Sequence, residues 1–224
     1  MSANDDSCEQ PVSEMVFKDR ADAGRKLAER LRPFADQNPI VLGLPRGGVA
    51  VAHEIARALP APLDLIVARK LGAPGQPELG IGAVAPGGVM VVDRAATELL
   101  GITSDILQEI AARELAEVDR RLLLYRGDRP PPDLADRTVI LVDDGLATGV
   151  TARAAIQALR RHNPRRLVLA VPVCAPETQE RLGPEVDDMV CLLVPENFRA
   201  VGIWYEDFEQ LTDEQVVQLL QGEG

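Results

Sequence analysis

Two adjacent carboxylates at the end of an apolar run are the residues most suggestive of chemistry in this sequence. Asp143 and Asp144 follow the apolar residues 139–142, and a turn rich in Gly and Thr comes next. If a helix starts after that turn, its unpaired amides and the Thr148 and Thr151 hydroxyls form a pocket suited to a phosphate monoester. The carboxylates beside the pocket would accept hydrogen bonds from vicinal hydroxyls. A sugar phosphate carries both features, whereas the simpler alternative is that the aspartates only cap a turn.

The elements around this pair predict where it lies in the fold. Apolar runs predict strands at 39–44, 63–69, 88–93, 138–142, 166–173 and 188–195. Helical periodicity predicts helices from 19 to about 33, over 47–59 and 104–125, from 151 to before 163, briefly between the last two strands, and from 211 onward. The strands alternate with helices along the chain, and several strands are apolar throughout. Both features indicate an α/β fold with a mostly parallel sheet and helices on both faces. In such sheets ligands bind beyond the carboxyl ends of strands, where the two aspartates fall.

The length and composition indicate one domain. The chain has 224 residues, of which 46% are hydrophobic, enough for a substantial core. We expect a flexible N-terminal arm over 1–15 and a single domain over 16–224. The stretch 70–82 is so rich in Gly and Pro that it is predicted to be an irregular, mobile loop.

The charge and the cysteines exclude several classes of function. A formal net charge of −11 argues against binding nucleic acid or an anionic membrane. The three cysteines lack metal-ligand spacing and fit a reducing compartment. The polar, acidic N-terminus does not resemble a signal peptide, and no apolar run approaches the length of a membrane span. These features predict a cytoplasmic protein.

The signature around the acidic pair resembles that of a known family. An apolar strand, two acids, variable residues and Thr-Gly-x-Thr resemble the phosphoribosyl diphosphate (PRPP) signature of type I phosphoribosyltransferases. The resemblance covers most of the chain from about Phe17, and within the family it is nearest to bacterial phosphoribosyltransferases of unassigned substrate. The motifs that carry it are GLPRGGV, ARKLGAPGQPELGIGAV, DDGLATGVT and WYEDFEQLTDEQV. It implies the type I fold, with a lid loop over 70–92 and a small hood mainly over 195–224.

The resemblance also implies roles for particular residues. Asp143 and Asp144 would hold the ribose hydroxyls, and Asp143 would contact a metal directly or through water. The 5-phosphate would be wrapped by Ala147, Thr148, Gly149, Val150 and Thr151. The pyrophosphate would be met by Arg46, Gly47, Arg69 and Lys70, in part from a loop, LPRGG, that often carries a strained or cis peptide.

The implied reaction, phosphoribosyl transfer, requires little covalent catalysis by the protein. Displacing pyrophosphate from an anomeric carbon passes through an oxocarbenium-like state, which requires positioning, charge neutralisation and exclusion of water. Mg²⁺ bound with PRPP would act as a second electrophile. Arg46 and Lys70 would supply cations, and the lid loop would close over the site. Glu78 is either an acid or base for the incoming group or a solvated loop carboxylate.

The acceptor is the least defined part of the prediction. Ala147 stands where hypoxanthine- and guanine-using members usually have an aspartate, which argues against that class. Leu146, Phe198 and Trp204 are candidates for contact with a base. Four of the seven aromatic residues lie between 198 and 208. They could stack on a base, but we favour a packing role that pins the C-terminal segment to the sheet.

The sequence therefore predicts a Mg²⁺-dependent phosphoribosyltransferase that joins PRPP to a nitrogenous base of unassigned identity. One alternative is a PRPP-binding sensor or regulator without turnover, and another is transfer to an amine. Intact Arg46 and Lys70 favour an enzyme. The resemblance further implies a homodimer, with neither nucleic acid nor membrane as a partner.

Overall fold

The computed structural model describes residues 16–222, so the predicted flexible arm over 1–15 lies outside the described residues. The α-helices are Arg20–Leu31 (α1), Gly47–Ala58 (α2), Arg94–Leu99 (α3), Ser104–Arg126 (α4), Val150–Arg160 (α5), Pro176–Leu182 (α6) and Asp213–Gln221 (α7). The strands are Pro39–Gly43 (β1), Leu63–Leu65 (β2), Arg69–Ala73 (β3), Gln76–Ala85 (β4), Val89–Val92 (β5), Thr138–Val142 (β6), Arg166–Val173 (β7) and Asp188–Leu193 (β8). Short 3₁₀ turns cover Arg32–Phe34, Gly183–Glu185 and Val201–Trp204.

The main sheet is parallel, as predicted. Its strand order is β2-β1-β6-β7-β8, and every pairing in it is parallel. Gly43 at the end of β1 pairs with Val142 at the end of β6. Because these two strands end side by side, the loop after β1 and the acidic pair after β6 are brought to the same edge of the sheet.

Helices cover both faces of this sheet, which explains why its central strands are apolar throughout. Val41, Ile140 and Val168 pack toward α1 and α2. The alternate residues Leu42 and Leu141 pack toward α5 on the opposite face. Successive side chains of a strand point to opposite faces, so burial of both faces requires an apolar residue at nearly every position.

The prediction of an irregular loop over 70–82 is wrong, because this segment forms β3 and β4. These strands are antiparallel and belong to a second, three-stranded sheet of order β3-β4-β5. Gly75 adopts a left-handed φ of 74° at the turn between them. Gly72 lies at a register shift, where a Cβ would be 2.5 Å from the Pro77 carbonyl oxygen. The Gly and Pro residues that looked like loop composition therefore serve a tight, bulged hairpin.

The strand predicted over 63–69 is also shorter in the structure, and α3 was not predicted. Strand β2 ends at Leu65, and the Ile66 amide makes the last backbone hydrogen bond to β1, at 3.2 Å to the Gly43 carbonyl oxygen. The chain then leaves the main sheet and enters the second one at Arg69.

Helix α4 joins the second sheet to the C-terminal helix, in agreement with its predicted apolar stripe. Ile110, Val118 and Tyr125 are buried in a cluster that also contains residues of β3, β4 and α7. Within residues 16–222, none of the helices combines the length and the apolar character needed to cross a membrane.

Candidate active site

The loop after β1 lies directly against the acidic pair. The Leu44 amide donates to the Val142 carbonyl oxygen at 2.8 Å, and the Pro45–Arg46 peptide is cis, the geometry that the resemblance implied for this loop. A Cβ on Gly47 would lie 1.8 Å from Asp144 Oδ2, far inside any real contact. Position 47 therefore has room only for glycine while the carboxylate stays where it is.

The electrostatics of the acidic pair favour an incoming cation or hydrogen-bond donors. Burial, and next the negative charge of Asp144, raise the pKa of Asp143 well above its usual range. The Asp144 amide donates to Asp143 Oδ1 at 2.9 Å and offsets part of this effect. Ligand groups that compensate the charge of Asp143 would relieve this electrostatic cost.

Asp144 is held by an arginine that the sequence analysis did not select. Arg20 Nε, in the first turn of α1, lies 2.8 Å from Asp144 Oδ2. The Arg20 Nη1 group donates to the Glu209 carbonyl oxygen at 2.7 Å, and the guanidinium carbon lies 3.9 Å from the centre of the Phe208 ring. The two charged residues are 124 positions apart, so no local pattern reveals the contact.

The acidic pair and the loop after β1 open onto one cavity of about 400 Å³. Four residues predicted to bind PRPP share it, together with Arg20 and a C-terminal segment. The full lining is Arg20, Pro45, Arg46, Gly47, Asp143, Asp144, Phe208, Gln210 and Leu211. The ribose and pyrophosphate residues inferred from separate motifs thus converge in space, apart from Arg69 and Lys70.

Arg46 is tied to the C-terminal helix at one side of this cavity. Its Nη1 atom lies 3.9 Å from Oδ1 of Asp213 in the first turn of α7. The same Asp213 oxygen accepts the Tyr125 hydroxyl at 2.6 Å. Burial, and next this hydrogen bond to Asp213, raise the pKa of Tyr125 to about 12, so the phenol remains a donor at neutral pH.

Side chains of α6 hold the predicted phosphate loop, residues 147–151, through hydrogen bonds to its carbonyl oxygens. The Thr178 hydroxyl donates to the Ala147 carbonyl oxygen at 2.5 Å, and an Arg181 guanidinium N–H donates to the Thr148 carbonyl oxygen. Because the N–H of a trans peptide points opposite to its C=O, the Thr148 and Gly149 amides point away from α6. Neither amide donates a hydrogen bond to any residue in the 16–222 range, which suits the predicted capture of a phosphate.

Gly149 makes the tight approach of this loop to α6 possible. It adopts a left-handed φ of 60° at the N-cap of α5. A Cβ here would lie 2.6 Å from the Thr178 side chain and 2.9 Å from that of Leu182. Thr178 and Arg181 were not predicted as site residues, since α6 follows the loop by some thirty positions and carries no recognisable motif.

Lys70 faces the phosphate loop, whereas Arg69 does not. Lys70, Glu78, Thr148 and Val150 line a second cavity of about 680 Å³ between the second sheet and α5. The Lys70 ammonium group donates to the Glu78 carbonyl oxygen, and Glu78 itself is exposed. Arg69 pairs with Glu114 Oε2 of α4 at 2.9 Å. The two residues share the lining of a further cavity of about 690 Å³ beside α4, but their side chains have different partners.

None of the residues predicted to contact a base lines the 400 Å³ cavity. The Leu146 side chain is buried in the main core, 2% exposed. Phe198 is half-buried after β8. Trp204 belongs to a cluster with Phe17, Tyr205 and Phe208, and its indole nitrogen has no hydrogen-bond partner among the residues that are described. Contact of any of the three with a base stays a prediction.

This aromatic cluster ties the N-terminal and C-terminal segments together, which agrees with the packing role favoured from sequence. The Phe17 amide donates to the Trp204 carbonyl oxygen and the Glu206 amide donates to the Phe17 carbonyl oxygen, both at 2.8 Å. The Tyr205 hydroxyl donates to the Asp144 carbonyl oxygen at 2.6 Å. Through this hydrogen bond the cluster helps to fix the backbone of the acidic pair.

A parallel α/β sheet, an acidic pair at the end of its central strand and a Gly/Thr loop opening the next helix together define the type I phosphoribosyltransferase fold. The model of the phosphoribosyl transferase domain family matches residues 14–203, and the chain belongs to this family.

Three similar proteins support this assignment. The "Putative phosphoribosyl transferase Rv0571c" of Mycobacterium tuberculosis is 43% identical over 205 residues, which cover 92% of this chain and 46% of that protein. The crystal structure of TT1426 from Thermus thermophilus is 45% identical with a TM-score of 0.79 and covers 93% of this chain and 99% of that one. A uracil phosphoribosyltransferase of Lactobacillus gasseri is 30% identical over 154 residues, which cover 63% of this chain and 68% of that protein. The chain thus spans about half the length of the mycobacterial relative.

Proposed function

We propose that this chain transfers the phosphoribosyl group of PRPP to a nitrogenous base and releases pyrophosphate, with Mg²⁺ bound alongside the substrate. The observation that carries the proposal is the convergence of the acidic pair, Arg46 and Gly47 on one cavity, because these residues come from motifs about a hundred positions apart. The fold brings the two loops to one edge of the sheet, and the residue types found there are those that a ribose and a diphosphate would need.

In the proposed complex each part of PRPP meets a group of matching chemistry. The ribose hydroxyls donate to Asp143 and Asp144, and the 5-phosphate accepts hydrogen bonds from the outward amides of the 147–151 loop. The diphosphate lies toward Arg46 and the Gly47 amide. The bond from the anomeric carbon to the diphosphate oxygen breaks as the acceptor nitrogen attacks, and the protein contributes alignment and neutralisation of charge.

The residues present fit a metal that is held mainly by the substrate. Within residues 16–222, no group of three or more His, Cys, Asp and Glu side chains could enclose a metal ion. Mg²⁺ commonly uses one or two protein carboxylates and completes its shell with substrate phosphates and water. Asp143, whose pKa is raised by burial and by Asp144, would gain from a nearby cation and would hold the metal directly or through water. When bound, Mg²⁺ would stabilise the charge that develops on pyrophosphate.

The hairpin of β3 and β4 is proposed as the cover of the site. Its outer part, residues 76–79, is exposed, and Lys70 at its base faces the phosphate loop across the 680 Å³ cavity. A closing movement would bring Lys70 toward the phosphates and shield the cation-like anomeric centre from water. Glu78 lies on the same hairpin, and we propose it as an acid or base for the acceptor.

We propose that the acceptor is not hypoxanthine or guanine. The exposed residue Ala147 offers no carboxylate to a purine ring nitrogen. The likeness to a uracil phosphoribosyltransferase supports placing uracil first among the bases to be tried.

The test is pyrophosphate release from PRPP and Mg²⁺ in the presence of a panel of nucleobases and amines. We expect turnover with at least one nucleobase, and loss of turnover in an Asp144→Asn, Thr148→Val double variant. Asp119→Asn is the matched control, since Asp119 is an exposed carboxylate on α4. Turnover only with amines would move the acceptor to that class. Binding of PRPP without release of pyrophosphate from any partner would favour a sensor instead.

A further inference from the structure

Arg20 forms a partly buried ion pair with Asp144, the carboxylate that is proposed to accept a hydrogen bond from a ribose hydroxyl. The side chains of Arg20 and Asp144 are only 12% and 17% exposed, and Arg20 Nε lies 2.8 Å from Asp144 Oδ2. Exposed ion pairs usually contribute little to stability. This pair is largely shielded from water and therefore differs from a surface contact. It also lies on the wall of the 400 Å³ cavity rather than in a distant part of the fold.

The surroundings fix which oxygen of Asp144 this pair uses. Oδ2 is confined between Arg20 and the backbone of Gly47, where a Cβ would approach it to 1.8 Å. No N–H or hydroxyl group within residues 16–222 donates to the other oxygen, Oδ1, although the Asp143 carboxyl group lies within hydrogen-bonding reach of the Asp144 carboxylate. One oxygen is therefore anchored by the protein and the other is left to accept a hydrogen bond.

Arg20 is itself held in place by two further contacts. Its Nη1 group donates to the Glu209 carbonyl oxygen at 2.7 Å, and its guanidinium carbon lies over the Phe208 ring, 3.9 Å from the ring centre. A lysine could supply the charge, but it could not make the stacked contact and both hydrogen bonds in one plane. These contacts make Arg20 a rigid support for the Asp144 carboxylate.

We propose that Arg20 is a positioning residue for phosphoribosyl transfer, anchoring Asp144 Oδ2 so that Oδ1 is presented to a ribose hydroxyl of PRPP. The inference rests on the proposed function and deepens it. Arg20 itself touches neither the reacting carbon nor the departing diphosphate in this scheme. Arg20 affects PRPP binding only by orienting Asp144. In this it differs from a residue that merely stabilises the fold.

The first experiment measures the affinity for Mg²⁺·PRPP and the KM and kcat of three variants. We expect Arg20→Gln to weaken PRPP binding about tenfold or more, and Arg20→Lys to recover only part of the loss. Arg25→Gln is the matched control, because Arg25 lies on the same helix with a 57% exposed side chain. That control should bind PRPP as the wild type does. Equal affinity of wild type and Arg20→Gln would overturn the proposal.

The second experiment asks whether the effect passes through Asp144. In an Asp144→Asn background, the further change Arg20→Gln should alter PRPP binding by less than about twofold, since residues that act as a unit are not additive. PRPP analogues that lack the 2-hydroxyl or the 3-hydroxyl give the same test from the ligand side. For one of the two analogues, the penalty of Arg20→Gln should largely disappear. An undiminished penalty in the Asn background and with both analogues would overturn the proposal.

A third variant keeps the test decisive if Arg20→Gln fails to fold. Phe208→Leu removes the stacked support but leaves both charges of the ion pair, and it should weaken PRPP binding while the protein stays folded. Full affinity in this variant and in Arg20→Lys would contradict the need for a rigidly held guanidinium. If the wild type binds no Mg²⁺·PRPP at all, the proposed function fails, and the inference fails with it. If the wild type binds and the variants bind equally well, only the inference fails.

Discussion

A single methyl group at position 47 should damage the site more than its size suggests. In Gly47→Ala, the new Cβ would lie 1.8 Å from Asp144 Oδ2, 2.5 Å from Cγ of the same residue and 2.8 Å from Arg20 Nε. To reach even a 3.0 Å contact, the carboxylate oxygen must retreat by about 1.2 Å, the difference between the two distances. Arg20 cannot follow freely, because Phe208 lies against its guanidinium group.

The expected magnitudes follow from this displacement. Overpacking of this kind costs about 1–3 kcal/mol, and the lower chain entropy of alanine returns about 0.4–1 kcal/mol, so we expect a net loss of about 1–2 kcal/mol in the free energy of unfolding. A misplacement of about 1 Å at a positioned group can cost about 100-fold in rate, so kcat/KM for PRPP should fall to that extent.

Urea unfolding and steady-state kinetics with PRPP measure the two effects. Gly183→Ala is the matched control, since its φ of −49° is ordinary and a Cβ there would meet nothing within 4 Å. The control should keep wild-type stability and activity. If Gly47→Ala unfolds at the wild-type urea concentration and keeps kcat/KM within about threefold, the reasoning is refuted. The tight packing of the loop after β1 against Asp144 would then contribute to neither stability nor activity.

Three further predictions test other contacts of the site. Thr178→Val should raise the KM for PRPP severalfold and lower the free energy of unfolding by about 1 kcal/mol, because the phosphate loop loses a hydrogen bond; unchanged KM in kinetic assays would contradict this. A raised acid pKa contributes stability below the unfolded pKa that is lost as pH rises through the folded pKa, so Asp143→Asn should raise Tm at neutral pH; a lower Tm would refute the sign. Tyr125→Phe should weaken pyrophosphate binding by loosening Asp213 beside Arg46, and equal inhibition by pyrophosphate would contradict this.

Much of the parallel sheet could be predicted from sequence because each of its central strands is buried on both faces. Residues 138–142 and 166–173 are apolar almost throughout, and the structure gives strands with those same limits. The acidic pair could be selected as a candidate site for a related reason, since charge at the end of such a strand has no packing role to fill.

The second sheet could not be predicted from composition, because its glycines and prolines are typical of loops. They are accommodated by a turn at Gly75 and a register shift at Gly72, and both features depend on the pairing partner rather than on local preference.

The supporting contacts of the site were beyond local sequence reasoning altogether. Arg20 meets Asp144 across 124 positions, and Thr178 meets Ala147 across 31. Arg69 and Lys70 are neighbours in sequence, yet Arg69 forms an ion pair with Glu114 of α4, whereas the Lys70 ammonium group donates to the Glu78 carbonyl oxygen of its own hairpin. Only the fold determines which of these side chains meet.

The most direct test of the central claim is a calorimetric titration of PRPP with Mg²⁺ into the purified protein and into the Asp144→Asn, Thr148→Val double variant. We expect micromolar binding to the wild type, close to one PRPP per chain, and no measurable binding to a double variant that remains folded. A folded wild type that gives neither heat nor thermal stabilisation with Mg²⁺·PRPP would contradict it, and the loop after β6 would then be an anion pocket for some other phosphate.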